Sequence, residues 1–105
     1  MDNLSEPTNL EQYLDDGINA YTAEDSGYRD VEILERDTTS SILAGKVAYR
    51  LLFTGDVEIN THKVLEVGTI NEGRPIFIKY EVEECLFEQY LPLAQRMIDS
   101  FEITN

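Results

Sequence analysis

The stretch from Ala44 to Thr54 constrains the fold of this chain more than any other. It opens on Ala44-Gly45, a pair typical of a tight turn, and then alternates with period two. The residues that point one way are all apolar: Val47, Tyr49, Leu51 and Phe53. Those that point the other way are mixed: Lys46, Ala48, Arg50, Leu52 and Thr54. Because successive side chains of a strand leave opposite faces of the sheet, this pattern predicts a central strand with one face on the main core.

Size and charge limit the classes of function. The chain has 105 residues, which suits one domain, and 42% of them are apolar, enough for one modest core. Its net charge is −13, from 21 acidic and 8 basic residues. That balance argues against nucleic acid, whose phosphates are bound by clustered Lys and Arg, and against an anionic membrane surface. It is compatible with divalent cations, with a basic partner, or with solubility alone.

No targeting or membrane-spanning segment is visible in the sequence. Met1–Pro7 lacks the basic and apolar regions of a signal peptide, so residues 1–7 are predicted to be a flexible leader and residues 8–105 a single domain. No run approaches the roughly 20 apolar residues of a membrane span. Cys85 is the only cysteine, which excludes an intramolecular disulfide. We therefore expect no membrane insertion, and the cytoplasm as the default location.

A helix is predicted before the sheet. Thr8-Asn9-Leu10-Glu11 has the form of a capping box, with Thr8 as the N-cap, and the helix should end near Ala23. Its apolar residues recur at helical spacing: Leu10, Tyr13, Leu14, Ile18 and Tyr21. Gly17 costs this helix about 1 kcal/mol relative to Ala. We expect Gly17 to mark a close approach of the helix to the sheet.

Four strands follow the helix. They are expected at Val31–Leu43, Lys46–Thr54, Val57–Ile70 and Pro75–Val82. The polar run Asp37–Ser41 is interpreted as a local irregularity within the first strand. Short turns at Ala44-Gly45, Gly55-Asp56 and Asn71–Gly73 join the strands. Links this short require neighbouring strands to be antiparallel.

A second helix closes the chain. Its apolar residues recur at helical spacing: Phe87, Leu91, Ala94, Ile98 and Phe101. Because Pro92 is costly deep inside a helix, Glu84–Gln89 is expected to form an irregular turn and Tyr90–Ser100 the regular helix. The predicted fold class is α+β: an antiparallel four-stranded β-meander flanked by an N-terminal and a C-terminal helix (α-β-β-β-β-α). The apolar face around Leu51 is expected to pack against the C-terminal helix.

Several segments, in order, resemble the PsbP-like domain family. The segments that carry the resemblance are Leu10–Leu14 (L-E-x-Y), Ile33–Glu35 with Leu43–Tyr49 (I-L … L-x-G-x-x-A-Y), Gly73–Tyr80 (G-x-x-Y/F-x-I-x-Y), Phe87–Pro92 and Met97–Ile103. The last two look like the family's closing helix, which typically ends in Ser-Phe. The resemblance covers roughly residues 9–104 and implies a layered sandwich, with an antiparallel sheet flanked by helices on both faces.

The same resemblance implies a role in binding or assembly. The best-known PsbP-like proteins are extrinsic subunits of photosystem II at the lumenal surface, and relatives in organisms without photosynthesis are mostly exported. No shared catalytic motif is associated with the family. This chain has no Trp and lacks the family's N-terminal strands with their F-x-I-x-Y-P-x-x-W pattern. It is therefore similar to the C-terminal two-thirds of a PsbP-like domain.

The sequence offers few residues for chemistry. His62, the only histidine, is expected at the surface or at a sheet edge, because Glu58 and Glu66 on the same strand face lie about 13 Å away, too far for shared metal ligation. Cys85 lies near the start of the last helix, where a reactive thiol is conceivable, but a buried small hydrophobe is favoured.

Two acidic groups are candidate cation sites: Asp15-Asp16, and Glu81 with Glu83, Glu84 and Glu88. Neither has the spacing of a calcium loop, so solvated faces are favoured over weak cation binding. The sequence also has no nucleophile elbow, phosphate loop, dinucleotide fingerprint or zinc knuckle. It therefore predicts no catalytic, cofactor-binding or metal-binding residue.

Two hypotheses of function follow. The first is a non-catalytic PsbP-like binding or assembly module with an unknown protein partner. The second is a small enzyme, a hydrolase or isomerase that uses carboxylates between sheet and helix. Buried acids with raised pKa values, or a closed pocket with two or more convergent polar side chains, would favour the enzyme. Acids on outer helix faces and in turns, as this sequence predicts, favour the module.

A homodimer is also expected. The second face of the sheet is predicted to carry apolar residues among charged ones: Ala48, Leu52, Val64, Ile70 and Phe77 with Lys46, Arg50, His62, Glu66, Lys79 and Glu81. Such a face is too apolar to stay bare, and without the family's N-terminal strands an outer strand would offer unpaired backbone groups. A two-fold axis would satisfy both needs with one self-complementary patch.

Overall fold

One four-stranded sheet with a helix on each face makes up the fold. The computed structural model describes residues 9–103. The elements in chain order are α1 (Leu10–Thr22), β1 (Arg29–Leu43), β2 (Lys46–Val57), β3 (Asn60–Asn71), β4 (Arg74–Glu83), a 3₁₀ turn (Glu84–Leu86) and α2 (Phe87–Ser100). The strands are antiparallel and lie in the order β1-β2-β3-β4. The predicted α-β-β-β-β-α order and α+β class are confirmed.

The start of α1 depends on a different cap from the predicted one. Asn9 is the N-cap, and its side-chain oxygen accepts a hydrogen bond of 2.7 Å from the backbone N–H of Gln12. Asn satisfies an unpaired helix N–H as well as Thr does. Thr8, the predicted cap, and the leader 1–7 lie outside the described residues. The helix gives way at Ala23, as predicted.

The middle hairpin turn does not lie where the sequence suggested. It falls at Glu58-Ile59, while Gly55-Asp56 continues β2, with Gly55 paired to His62. Gly55 serves packing instead of a turn, because a Cβ built on it would lie 3.1 Å from the ring of Tyr28. The predicted turn was therefore wrong, and β3 begins at Asn60 rather than Val57.

The irregularity predicted inside β1 is confirmed. The register of β1 against β2 shifts between Asp37 and Ser41. The Asp37 carboxylate accepts hydrogen bonds from the N–H and hydroxyl of Ser40, at 3.0 and 2.9 Å, and from the hydroxyls of Thr39 and Ser41. These bonds, led by those from Ser40, lower the pKa of Asp37 to about 2. The side chain of Asp37 thus ties the bulge together.

The apolar face of β2 packs against α1, not α2. Tyr49, Leu51 and Phe53 form one core cluster with Leu14 of α1. Leu51 is only 1% exposed, so the predicted inward direction is right, but the predicted partner, the C-terminal helix, was wrong. Val47 shares this face and yet is 54% exposed, because α1 does not cover it. Period two separates the faces of a strand but does not say which helix crosses which face.

The other face of the sheet holds a second core against α2. Its buried members are Leu43, Ala48, Leu65, Val67, Phe87 and Ile98. Val64 and Phe77 had been expected on this face, but Val64 pairs with Phe53 across the strands and therefore faces α1. Phe77, paired with Gly68, lies on the α1 face as well. The error arose because periodicity does not align the faces of separate strands.

The C-terminal helix begins earlier than predicted. Residues Glu84–Leu86 do form an irregular 3₁₀ turn, but the α-helix starts at Phe87 and contains Pro92. Pro92 withholds the hydrogen bond that the Glu88 carbonyl would receive, and both residues are exposed, so water can serve that carbonyl.

The homodimer was predicted partly because one face of the sheet was expected to stay open. Both faces are in fact covered by helices, so this reason no longer holds. Self-association itself stays a prediction. None of the helices within residues 9–103 combines the length and the apolar character needed to cross a membrane.

Candidate functional site

A groove of about 430 Å³ lies between α1 and the sheet, and we call it the α1 groove. It is open to solvent on one side, and its exposed lining is mostly apolar. Four of the lining residues are aromatic: Tyr13, Tyr21, Tyr49 and Phe77. Two carboxylates line it as well, Asp16 from α1 and Glu66 from β3.

Gly17 leaves the helical wall of the α1 groove open. The sequence suggested that Gly17 marks a close approach of α1 to the sheet, but a Cβ built on it meets no atom within 4 Å. Its backbone is ordinary helix, so neither packing nor conformation requires glycine there. The expectation was wrong: the missing side chain leaves empty space inside the groove.

Glu66 lies on the sheet side of the groove and is held by two tyrosines. Its side chain is nearly buried, since the residue is only 7% exposed. One carboxylate oxygen accepts a hydrogen bond of 2.5 Å from the Tyr21 hydroxyl, and the other accepts one from the Tyr49 hydroxyl. Burial, and then the bond to Glu66, raises the pKa of both tyrosines. The two hydroxyls therefore stay protonated and act as donors at neutral pH.

A second polar network adjoins the first on the same face. Glu81 accepts a hydrogen bond of 2.7 Å from the Tyr28 hydroxyl, its other oxygen lies 2.7 Å from His62 Nδ1, and Lys79 Nζ lies 3.7 Å away. Burial alone would raise the pKa of Glu81, but the bonds from Tyr28 and His62 and the charge of Lys79 outweigh it, and the net pKa is lowered. Lys79 Nζ also lies 4.9 Å from the centre of the Tyr21 ring.

His62 does not occupy the surface or edge position that the sequence predicted. It is half-buried on β3, an inner strand, and its partner is Glu81 on β4 rather than Glu58 or Glu66. Directly opposite residues on paired strands come closer than residues four apart on one strand. Single-strand spacing could not reveal this contact.

The remaining candidates are scattered. Cys85 is exposed, so the prediction of a buried thiol was wrong. Asp15 pairs with Arg36 at 2.6 Å, and Glu88 lies 3.9 Å from Lys63, so the two acidic groups engage different partners. Among residues 9–103, no three His, Cys, Asp or Glu side chains come close enough together to hold a metal ion.

The key residue that sequence reasoning missed is Glu66. The available signal is its neighbourhood: Val64-Leu65-Glu66-Val67 places one acid inside an apolar run. Such a run predicts an inner strand covered on both faces, and an acid inside it must find hydrogen-bond donors. The donors, Tyr21 and Tyr49, lie 45 and 17 residues away, which no local pattern could show.

The α1 groove offers aromatic faces, apolar walls and negative charge. Among its lining residues there is no Ser, Thr, Cys or His, and the Tyr21 and Tyr49 hydroxyls are already committed to Glu66. This chemistry suits binding of an apolar group that carries a positive charge.

Comparison with known proteins assigns no family. Neither protein-family models, nor curated proteins, nor solved structures gave a match to this chain. The likeness to PsbP-like domains is therefore carried by the sequence segments alone.

Proposed function

We propose that the protein is a non-catalytic binding or assembly module of the PsbP-like kind, and that its ligand occupies the α1 groove. The observation that carries this proposal is the pairing of Glu66 with the hydroxyls of Tyr21 and Tyr49 in the groove. Each oxygen of Glu66 accepts a hydrogen bond from a tyrosine hydroxyl, so both oxygens are held in place by the protein's own side chains. A carboxylate fixed in this way is suited to attract a ligand.

Gly17 supports the same proposal. A glycine inside a helix lowers stability by about 1 kcal/mol relative to Ala. Since a Cβ at this position would meet no atom within 4 Å, no close packing against Gly17 offsets that cost. Features that lower stability without a structural reason are typical of functional sites. The benefit here is an open groove.

The enzyme remains the alternative. Glu66 is a buried carboxylate between sheet and helix, which is the position that the hydrolase or isomerase hypothesis requires. Against it, the groove is open rather than closed, and the raised pKa values of Tyr21 and Tyr49 hinder release of their protons. Turnover of p-nitrophenyl esters by the protein, lost in a folded Glu66→Gln variant, would favour the enzyme over the module.

NMR with small aromatic fragments tests the module. Benzyl alcohol, benzylamine and benzoate are titrated separately into the ¹⁵N-labelled protein. We expect at least one to shift the amide signals around Gly17 and Glu66. Gly17→Leu, which fills the groove, should abolish these shifts.

Asn19→Leu is the matched control, because it adds the same side chain to an exposed position of α1 that does not line the groove. It should bind the fragments as the original chain does. If no fragment shifts the groove signals, or if Gly17→Leu binds them equally well, the groove is not the binding site.

A further inference from the structure

We propose that the occupant of the α1 groove is a Lys or Arg side chain of a protein partner, presented by a segment with apolar residues on either side. This inference rests on the proposed function and goes further by naming the chemical class of the partner. Three independent features of the molecule carry it: the charge of the groove, its aromatic walls, and the apolar surface that continues beyond it.

The charged residues that line the groove are both acidic. They are Asp16 and Glu66, and no basic residue lines the groove. Each Glu66 oxygen accepts one hydrogen bond and retains capacity for another from a cation. The net charge of −13 adds a long-range attraction for a basic partner. An acidic ligand would be repelled at both ranges.

The aromatic walls suit the rest of a basic side chain. A cation is attracted to the face of an aromatic ring within about 6 Å, and the methylene stem of Lys or Arg packs on apolar surface. The molecule already contains an internal example of the contact. Lys79 places its ammonium 4.9 Å from the Tyr21 ring centre and 5.6 Å from that of Tyr28, beside the Glu81 carboxylate.

An exposed apolar rim extends the groove along the same face of the sheet. The rim consists of Ile42, Val47 and Phe77, which are 57%, 54% and 49% exposed. Phe77 lines the groove itself, and Val47 stands two residues before Tyr49 on β2, paired with Ile42 on β1. A free amine in the groove would leave this rim in water. A peptide segment would cover it with the apolar neighbours of its basic residue, so a protein partner fits better than a small amine.

Three matched probes test this inference by NMR titration. The first is a heptapeptide with central Lys between Leu and Val residues, blocked at both ends. The second is the same peptide with norleucine in place of Lys, and the third is n-butylamine. We expect the Lys peptide to shift both groove and rim amides and to bind about tenfold more tightly than either other probe.

Two variants separate the contributions. Asp16→Asn, at an exposed position of the groove, should weaken the Lys peptide several-fold and leave the norleucine peptide unchanged. Val47→Ser, on the rim, should weaken both peptides and leave n-butylamine unchanged. Neither site is buried, so both variants should remain folded, which their NMR spectra will show.

Each contrary result has a distinct meaning. Equal binding of Lys and norleucine peptides would overturn the basic partner while the groove remained a binding site. If n-butylamine binds as tightly as the Lys peptide, the ligand is a small amine and not a protein partner. Concentration-dependent sedimentation with loss of exposure at the rim would assign that surface to a second copy of the chain. If no aromatic fragment and no peptide binds to the groove, the proposed function is wrong.

Discussion

The ring of Tyr49 lies directly over Gly68 on the neighbouring strand. A Cβ built on Gly68 would come within 2.6 Å of that ring. Because Gly68 has no side chain, Tyr49 can extend from β2 across β3 and donate its hydroxyl hydrogen bond to Glu66. One glycine thus allows the contact that satisfies the buried carboxylate of the groove.

Gly68→Ala should therefore destabilise the protein. The ring is buried and its hydroxyl is bonded to Glu66, so displacing it should lower the free energy of unfolding by about 1–3 kcal/mol. Urea denaturation measures the change. Gly17→Ala is the matched control, and it should raise stability by about 0.4–1 kcal/mol, since its new methyl group meets nothing. A neutral Gly68→Ala would contradict the placement of the Tyr49 ring over Gly68.

Leu51→Ala should remove core packing under α1. Leu51 is fully enclosed, so we expect a loss of about 2–5 kcal/mol in the free energy of unfolding. Val47→Ala, on the same face of the same strand but exposed, should cost less than about 0.5 kcal/mol. A double-mutant cycle of Leu51→Ala with Leu14→Ala identifies the helix. Coupling between the two supports packing against α1, whereas full additivity would speak against it.

The order and type of the elements could be predicted from local patterns alone. The alternation from Val47 to Phe53 gave β2, and Ala44-Gly45 gave its first turn, where both residues have positive φ. Local patterns gave a wrong prediction where the same residue type can serve either of two structural purposes. Gly55 looked like a turn residue because turns favour glycine, yet it is glycine because Tyr28 packs on it.

The candidate site was beyond the reach of local patterns. It consists of contacts between α1, β2, β3 and β4, and sequence spacing within one element does not determine the alignment of another. Helical spacing placed Tyr13 and Tyr21 on the buried face of a helix. It could not show that the Tyr21 hydroxyl bonds to the Glu66 carboxylate. The sequence shows that Gly17 weakens the helix, but only the geometry shows that the space beside it is empty.

Alkaline pH should unfold the protein through its buried tyrosines. Burial, and then hydrogen bonds to Glu66 or Glu81, raises the pKa of Tyr21, Tyr28 and Tyr49 in the folded state above the usual value of 10.0. Their contribution to stability is therefore complete below pH 10 and is lost progressively above it, as the unfolded chain releases protons that the folded chain retains. Unfolding by urea at pH 8 to 11, monitored by circular dichroism, should show this decline. Tyr28→Phe should make it less steep, and an unchanged slope would mean that Tyr28 titrates normally.

The bulge of β1 should make stability sensitive to acid. Hydrogen bonds from Ser40, Ser41 and Thr39 lower the pKa of Asp37 from 3.8 to about 2 in the folded state. A lowered carboxyl pKa stabilises the fold above the unfolded value, so this contribution is present at neutral pH and is lost as pH falls from about 4 towards 2. Asp37→Asn should lower stability at pH 7 and bring the variant closer to the original chain at pH 2. Asp25→Asn, at an exposed loop position, is the control and should track the original chain at both values. If Asp37→Asn and Asp25→Asn have the same urea midpoints across this range, the Asp37 carboxylate does not hold the bulge together.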